Sequence, residues 1–244
     1  MGMSDCSLTV VMPVYNEAAV IGEVLAAVCA DVLDLVPGSE VVVVDDCSTD
    51  ATPRLLVAAT ATDPRIRVLT NTVNSGHGVS VRRGFEASMG EWILQIDSDG
   101  QVDLRQFAVF WEQRDSSDLV MGKRVHRHDP RHRLLLTRFT RLVVSLLARR
   151  RLVDANVPFK LVRARLFRHL SGWMPADAFA PSILLALGAA RSGARITQLE
   201  IRHLPRRHGQ STLRAWRLAS ACVRAGWQTL RCALAHPGAY RGDG

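Results

Sequence analysis

The sequence predicts an α/β protein, a mostly parallel sheet flanked by helices with a basic helical part at the C-terminal end, and three observations carry that prediction. Short Val- and Ile-rich runs alternate with helix-length amphipathic segments through the first half of the chain. Acidic and polar residues stand directly after those apolar runs, where parallel sheets present their ligand sites. The second half changes character and becomes strongly basic.

Each element has a local reason. Leu8 to Met12 is a Val-rich strand followed by P-V-Y-N-E (Pro13 to Glu17), and an apolar pattern from Val20 to Val36 suits a helix. Val41 to Val44 is a second strand ending in Asp45 and Asp46; the S-T-D-A-T-P run from Ser48 to Pro53 then supplies caps and an early proline for the next helix. Ile66 to Leu69 is a third strand, and a helix opened by G-H-G spans Gly76 to Met89. Trp92 to Ile96 reads as a buried strand, and Leu119 to Met121 as another. A basic loop from Gly122 to Arg133 leads into a helix from Leu134 to about Arg150. Its Leu135, Phe139, Leu142 and Leu146 share one face, bordered by Arg138 and Arg141. A helix within Ala178 to Arg191, a strand near Ile196 to Ile201 and a last helix after P-R-R-H-G-Q-S-T (Pro205 to Thr212) complete the pattern. Residues 1–212 form one domain in this reading, with 213–244 an amphipathic helix and tail packed on or extending it.

The fourth strand ends in D-S-D-G-Q. Asp97, Asp99 and Gln101 place three oxygen-bearing side chains at alternate positions, with Gly100 to turn the backbone, so they can converge on one point. Hard cations such as Mg²⁺ or Mn²⁺ choose oxygen ligands and leave places for substrate phosphates. The same residues also suit an ordinary polar turn.

Composition excludes several classes. Five scattered cysteines without a C-x-x-C indicate neither a disulfide framework nor a zinc site, which points to a reducing cytoplasm. No basic, apolar leader opens the chain, and no run of about 18 uncharged apolar residues would span a bilayer. Charge is divided unevenly: residues 1–120 hold 7 Lys+Arg against 18 Asp+Glu, a net of −11, and residues 121–244 hold 24 against 5, a net of +19. Such a basic half suits a phosphate-bearing partner. A nucleic acid is not expected, because few aromatics interleave with the arginines and no binding module is visible.

Taken together, P-V-Y-N-E, V-V-V-V-D-D-C-S-T-D, N-S-G-H-G-V-S-V-R-R-G, D-S-D-G-Q, G-K-R with Arg133 downstream, and R-R-H-G-Q-S-T resemble the family 2 glycosyltransferases, in particular their polyprenyl-phosphate, dolichol-phosphate mannosyltransferase-like branch. The resemblance covers about residues 8–212. It implies a GT-A (Rossmann-like) fold, a UDP- or GDP-linked sugar donor, Mg²⁺ or Mn²⁺, inversion at the anomeric carbon and a polyprenyl-phosphate acceptor. By that analogy Pro13, Tyr15, Glu17, Asp45, Asp46 and Asp97 hold the nucleotide, and Asp97, Asp99 and Gln101 hold the metal. Arg124, Arg133, Thr137 and Arg206 meet acceptor or donor phosphates, and Asp97, Asp99, Arg124 and Arg133 carry catalysis. A phosphate acceptor is largely ionised already, with a second pKa near roughly 6, and needs no strong base; Asp154 and Asp177 are base candidates for a hydroxyl acceptor such as a glycolipid. Departures from the branch are Thr137 in place of a usual serine, Thr212 in place of a frequent lysine, and Val157-Pro158-Phe159 in place of a Gly-Phe pair.

Other readings compete. Asp45 and Asp46 after a Val run also suit a phosphoacceptor receiver domain, which would leave the second half unexplained, and the chain as a whole also suits a non-catalytic nucleotide-sugar or phosphate-binding module. His77, in the Gly-rich helix start, suits either anion contact or plain exposure; His126, His128 and His132 among arginines suit a solvated loop. Leu213, Trp216, Val223, Trp227, Leu230 and Leu234 make a stripe on the last helix, flanked by Arg217, Arg224 and Arg231. It fits a core-packing helix with snorkelling arginines, or a helix lying on an anionic membrane surface at the cytoplasmic face.

Overall fold

In the computed structural model the chain runs β1 (Leu8–Val14), α1 (Ile21–Val28), β2 (Ser39–Asp45), α2 (Thr52–Thr62), β3 (Ile66–Thr70), α3 (His77–Glu86), β4 (Trp92–Gln95), α4 (Phe107–Glu112), β5 (Leu119–Val125), α5 (Arg131–Ala148), β6 (Lys160–Arg163), α6 (Ala164–Ser171), α7 (Pro181–Arg191), β7 (Ile196–Arg202) and α8 (Ala215–Leu234). The structure describes residues 6–125, 131–202, 204 and 215–242, without the side chains of 125, 131–139 and 215–222. Thr212, His126, His128 and Arg206, and the side chains of Arg133, Thr137, Leu135, Phe139, Arg138, His132, Trp216 and Arg217, therefore lie outside the described residues, as does Leu213.

The strands form one sheet in the order β3-β2-β1-β4-β6-β5-β7. Neighbours are parallel except β6, which runs antiparallel to both β4 and β5. Side chains alternate between two cores, as a period of two requires. Val10, Met12 and Leu94 pack with α1, α2 and α4 on one face, while Val11, Ile93 and Met121 pack with α3 and α5 to α8 on the other. Pro13 is accommodated in this central strand because the β1–β4 pairing stops at Val11↔Gln95. A proline there removes no ladder bond to β4.

Three sequence expectations are corrected. The single helix over Val20 to Val36 is α1 followed by a π-helical turn, Cys29–Leu33, closed by Asp34 N donating to Cys29 O at 2.9 Å. Strand β6 and helices α4 and α6 were not anticipated: K-L-V-R begins and ends with a cation, and only insertion between β4 and β5 buries it. Of the α5 stripe, the described members Leu142 and Leu146 are exposed, and among the described side chains of that helix Val144 and Ala148 are the buried ones, so the apolar stripe there is not the core-facing side.

On α8 the described part of the apolar stripe faces outward, the second of the two readings that the sequence allowed. Trp227 is 60% and Leu234 83% exposed, with Val223 and Leu230 also outside, whereas the polar Gln228 and Thr229 are buried. Core packing of that stripe is therefore excluded for its described members. Gln228 is buried because it serves the backbone: its Oε1 accepts from Phe179 N at 2.8 Å and its Nε2 donates to Asp177 O at 3.3 Å. Among the described residues, no helix is long and apolar enough to cross a membrane.

Candidate active site

Two loops at the carboxyl ends of β1 and β2 are stitched together by side chains. Asn16, held left-handed at φ 54°, accepts from Thr49 N at 2.7 Å and takes Ser48 Oγ on its own N–H at 2.9 Å. Glu17 N donates to Thr52 Oγ1 at 2.9 Å. Tyr15 remains exposed on the outer side of this junction. Pro13 is buried within β1 just beneath it.

The acidic pair of β2 has structural partners. Asp45 accepts from Ser48 N at 3.2 Å and from the Ser48 hydroxyl, closing the turn after the strand. Asp46 accepts from Asn71 Nδ2 at 2.7 Å, Ser75 N at 2.9 Å and Gly76 N at 2.8 Å. Both carboxylates are buried, so they shape the cradle by fixing the loops around it, and Asp46 fixes the start of α3. That start lies tight against the 174–180 loop, because a Cβ on Gly78 would stand 2.0 Å from Ala178 O. Arg82 reinforces the junction by donating to Met174 O at 2.9 Å and Pro175 O at 3.2 Å.

At the end of β4, Gly100 takes φ 67° and lets the D-S-D-G-Q turn close with Gln101 N donating to Asp99 Oδ1 at 3.1 Å. Gln101 Nε2 donates to Leu204 O at 3.3 Å, and Leu204 N returns to Gln101 O at 2.8 Å. The Gln101 amide is thus turned toward the residue that precedes P-R-R-H-G-Q-S-T. Asp97 behaves differently. Its Oδ1 is buried and has no hydrogen-bond partner among the described residues, with His77 Nε2 3.7 Å away. A buried carboxylate oxygen with no donor fits a place where a cation binds. Among the described residues no three His, Cys, Asp or Glu side chains cluster, so a cation here would draw on Asp97, Asp99 and oxygen atoms of a ligand.

A cavity of about 720 Å³ opens beside Asp97. Ser75, Gly76 and His77 line it at the α3 end, and Arg124 and Asp154 at the β5 end. From there it runs between α5, α7 and α8, past Val143, Ile183 and Gly226. Of the residues anticipated from sequence, Asp97 and Arg124 line this cavity, as do His77, Asp154 and Asp177, while Pro13, Tyr15, Glu17, Asp45, Asp46, Asp99 and Gln101 stand outside its lining. A smaller cavity of about 180 Å³, between Phe85, Ile93 and Phe167, holds none of the strand-end carboxylates.

Arg124 is held by Asp154 through Nε at 2.7 Å and Nη2 at 2.9 Å, a bidentate and largely buried pair. Asp154 is thereby an orienting group for the guanidinium rather than a ready base. Asp177, the other base candidate, pairs with Arg224 at 2.7 Å. Sequence reasoning passed over Lys160. It is fully buried beside this pair, donates to Val157 O, and burial lowers its pKa to about 7, with Asp154 opposing that shift. Its only sequence signal was a lysine inside an apolar run.

The chain belongs to Glycosyl transferase family 2, whose pattern it matches over residues 9–171. It is 30% identical over 214 residues to an undecaprenyl-phosphate 4-deoxy-4-formamido-L-arabinose transferase of Pseudomonas aeruginosa (strain LESB58), covering 86% of this chain and 61% of that protein. The chain thus spans about three-fifths of that relative's length. Over 240 residues it is 26% identical to the undecaprenyl-phosphate mannosyltransferase of Micrococcus luteus, with 92% of this chain and 97% of the relative covered. Among solved structures, glucosyl-3-phosphoglycerate synthase from Mycobacterium tuberculosis with Mn²⁺, uridine-diphosphate and glucosyl-3-phosphoglycerate superposes with a TM-score of 0.68 at 20% identity, over 93% of this chain and 80% of that one. The mannosyltransferase PcManGT from Pyrobaculum calidifontis, solved with GDP-Man and Mn²⁺, gives 0.65 at 23% identity, over 92% and 64%. The sheet has the GT-A arrangement, and the chain is a member of glycosyltransferase family 2 related in sequence to polyprenyl-phosphate sugar transferases.

Proposed function

We propose that this protein moves a sugar, with inversion, from a UDP- or GDP-linked donor to a polyprenyl phosphate at the surface of a membrane, aided by Mg²⁺ or Mn²⁺. The observation that carries the proposal is the cavity that joins Asp97 and Arg124 at one end to a wall of α5, α7 and α8 at the other, where Val143, Val144 and Ile183 stand beside Arg141 and Arg224. A lipid phosphate suits such a lining, its tail against the aliphatic side chains and its head at Arg124.

The donor lies over the stitched β1 and β2 loops, with Tyr15 and Glu17 at the base and ribose and the α3 start near the diphosphate. Asp97 and Asp99 would hold the cation, which would supply positive charge against the departing diphosphate. Arg124, oriented by Asp154, meets the acceptor phosphate, with Arg133, Thr137 and Arg206 completing the phosphate contacts. An ionised phosphate attacks without help from a base, which agrees with both base candidates being engaged by arginines. A hydroxyl acceptor would need one of those carboxylates released.

The outward stripe of α8, with Arg224 and Arg231 beside it, rests on the anionic leaflet at the cytoplasmic face. Thermal-shift titration with UDP- and GDP-sugars in Mn²⁺ identifies the donor, since a specific ligand raises the apparent stability. With that donor and undecaprenyl phosphate, Asp97→Asn is expected to lower turnover at least about 100-fold. Unchanged turnover would remove Asp97 from the reaction.

A further inference from the structure

The observation beyond the donor site is Gly226. It lies inside the 20-residue helix α8, where a glycine weakens the helix relative to alanine. Two other helix-interior glycines have a packing reason: a Cβ on Gly84 would meet Val11 Cγ1 at 2.4 Å, and one on Gly188 would meet Leu170 Cδ2 at 2.9 Å, whereas Gly22, in the first turn of α1, has open space but lines neither cavity. At Gly226 an added Cβ meets no described atom within 4 Å. The residue also lines the main cavity while itself being exposed. Val223 and Leu230, one turn to either side, belong to the outward apolar stripe, whereas Ala225 and Thr229 line the cavity.

We infer that Gly226 is the notch through which the hydrocarbon chain of the acceptor passes from the outward face of α8 into the cavity, and that its missing side chain sets the bore of that path. This inference rests on the proposed lipid phosphate acceptor. The chain enters over Gly226, runs between Val143 of α5 and Ile183 of α7, and delivers its phosphate toward Arg124. Val143, Val144 and Ile183 suit the polyprenyl tail, and the Arg124 guanidinium at the inner end receives its phosphate; Arg141, Arg224 and Asp177 also line the cavity. Gly226 is thus a specificity-determining residue that discriminates by acceptor length and girth.

The test uses the full chain with Mn²⁺, its donor, and two acceptors, undecaprenyl phosphate and the short, soluble geranyl phosphate. Gly226→Leu is expected to lower the ratio of kcat/KM for the long over the short acceptor about tenfold, chiefly through KM. Gly226→Ala, which favours the helix and adds one methyl in open space, is expected to shift the ratio a few-fold in the same direction. Melting curves with bound nucleotide verify that each variant is folded. An unchanged ratio in the folded Gly226→Leu protein, or equal loss with both acceptors, overturns the path while leaving the acceptor class intact. Failure of the wild type to use either phosphate overturns the acceptor reading and the path together.

Discussion

At the residue scale, the site depends on charges buried in pairs and on one charge buried without a full pair. The Arg124–Asp154 pair is held bidentately out of water. Removing one member leaves its partner's charge desolvated, which costs about 3–5 kcal/mol. Asp154→Ala is therefore expected to lose about 3 kcal/mol in urea denaturation, and the Arg124→Met/Asp154→Ala double variant less than the single one. Lys160 makes a pH prediction with a definite sign. Unfolded, it keeps its proton to about its ordinary 10.5; folded, burial releases that proton near 7. The unfolded chain then binds more protons across that window, so this residue makes stability rise as pH climbs from about 7 toward 10.5. Lys160→Met in the metal-free protein is expected to flatten that rise, as read from urea midpoints across the window.

At the element scale, α3 and α8 are joined through the 174–180 loop, which Arg82 grips from one side and Gln228 from the other. The closeness at Gly78 makes this junction intolerant of a side chain. Gly78→Ala is expected to destabilise the fold by about 1–3 kcal/mol through overpacking and to weaken nucleotide binding, measured by denaturation and thermal shift. The α8 stripe behaves oppositely, because Trp227 and Leu230 make little contact with the fold. Trp227→Ser with Leu230→Ser is expected to leave stability within about 0.5 kcal/mol yet reduce sedimentation with anionic vesicles at least about tenfold, given the apolar area removed. Equal sedimentation of wild type and variant would show that the stripe does not touch lipid.

At the scale of the whole molecule, the division of charge has a spatial counterpart. The acidic half supplies β1 to β4 and the strand-end carboxylates, and the basic half supplies α5 to α8, whose Arg141 and Arg224 line the far part of the cavity. Each Lys or Arg near an anionic leaflet contributes roughly 1 kcal/mol and is screened within a Debye length of about 8 Å at physiological salt. Under the proposed function, vesicle binding is accordingly expected to fall steeply between low and high salt while nucleotide-sugar binding at the strand ends falls much less. Loss of both together would place the two partners on one surface.

By itself the sequence determined the alternation of strands and helices, the acidic strand ends and the family, because these depend on local periodicity and on contiguous motifs such as D-S-D-G-Q. The antiparallel β6 was illegible, since a four-residue strand ending in cations acquires its burial only from β4 and β5 on either side. The duties of Asp45, Asp46 and Asp154 were likewise hidden, for their partners lie on other elements or across a turn. An amphipathic stripe states that a helix has two faces, and only its neighbours decide which one meets the core. In α8 the backbone of residues 177–179 claims Gln228, so the polar side turns inward and the tryptophan side is left to solvent or lipid.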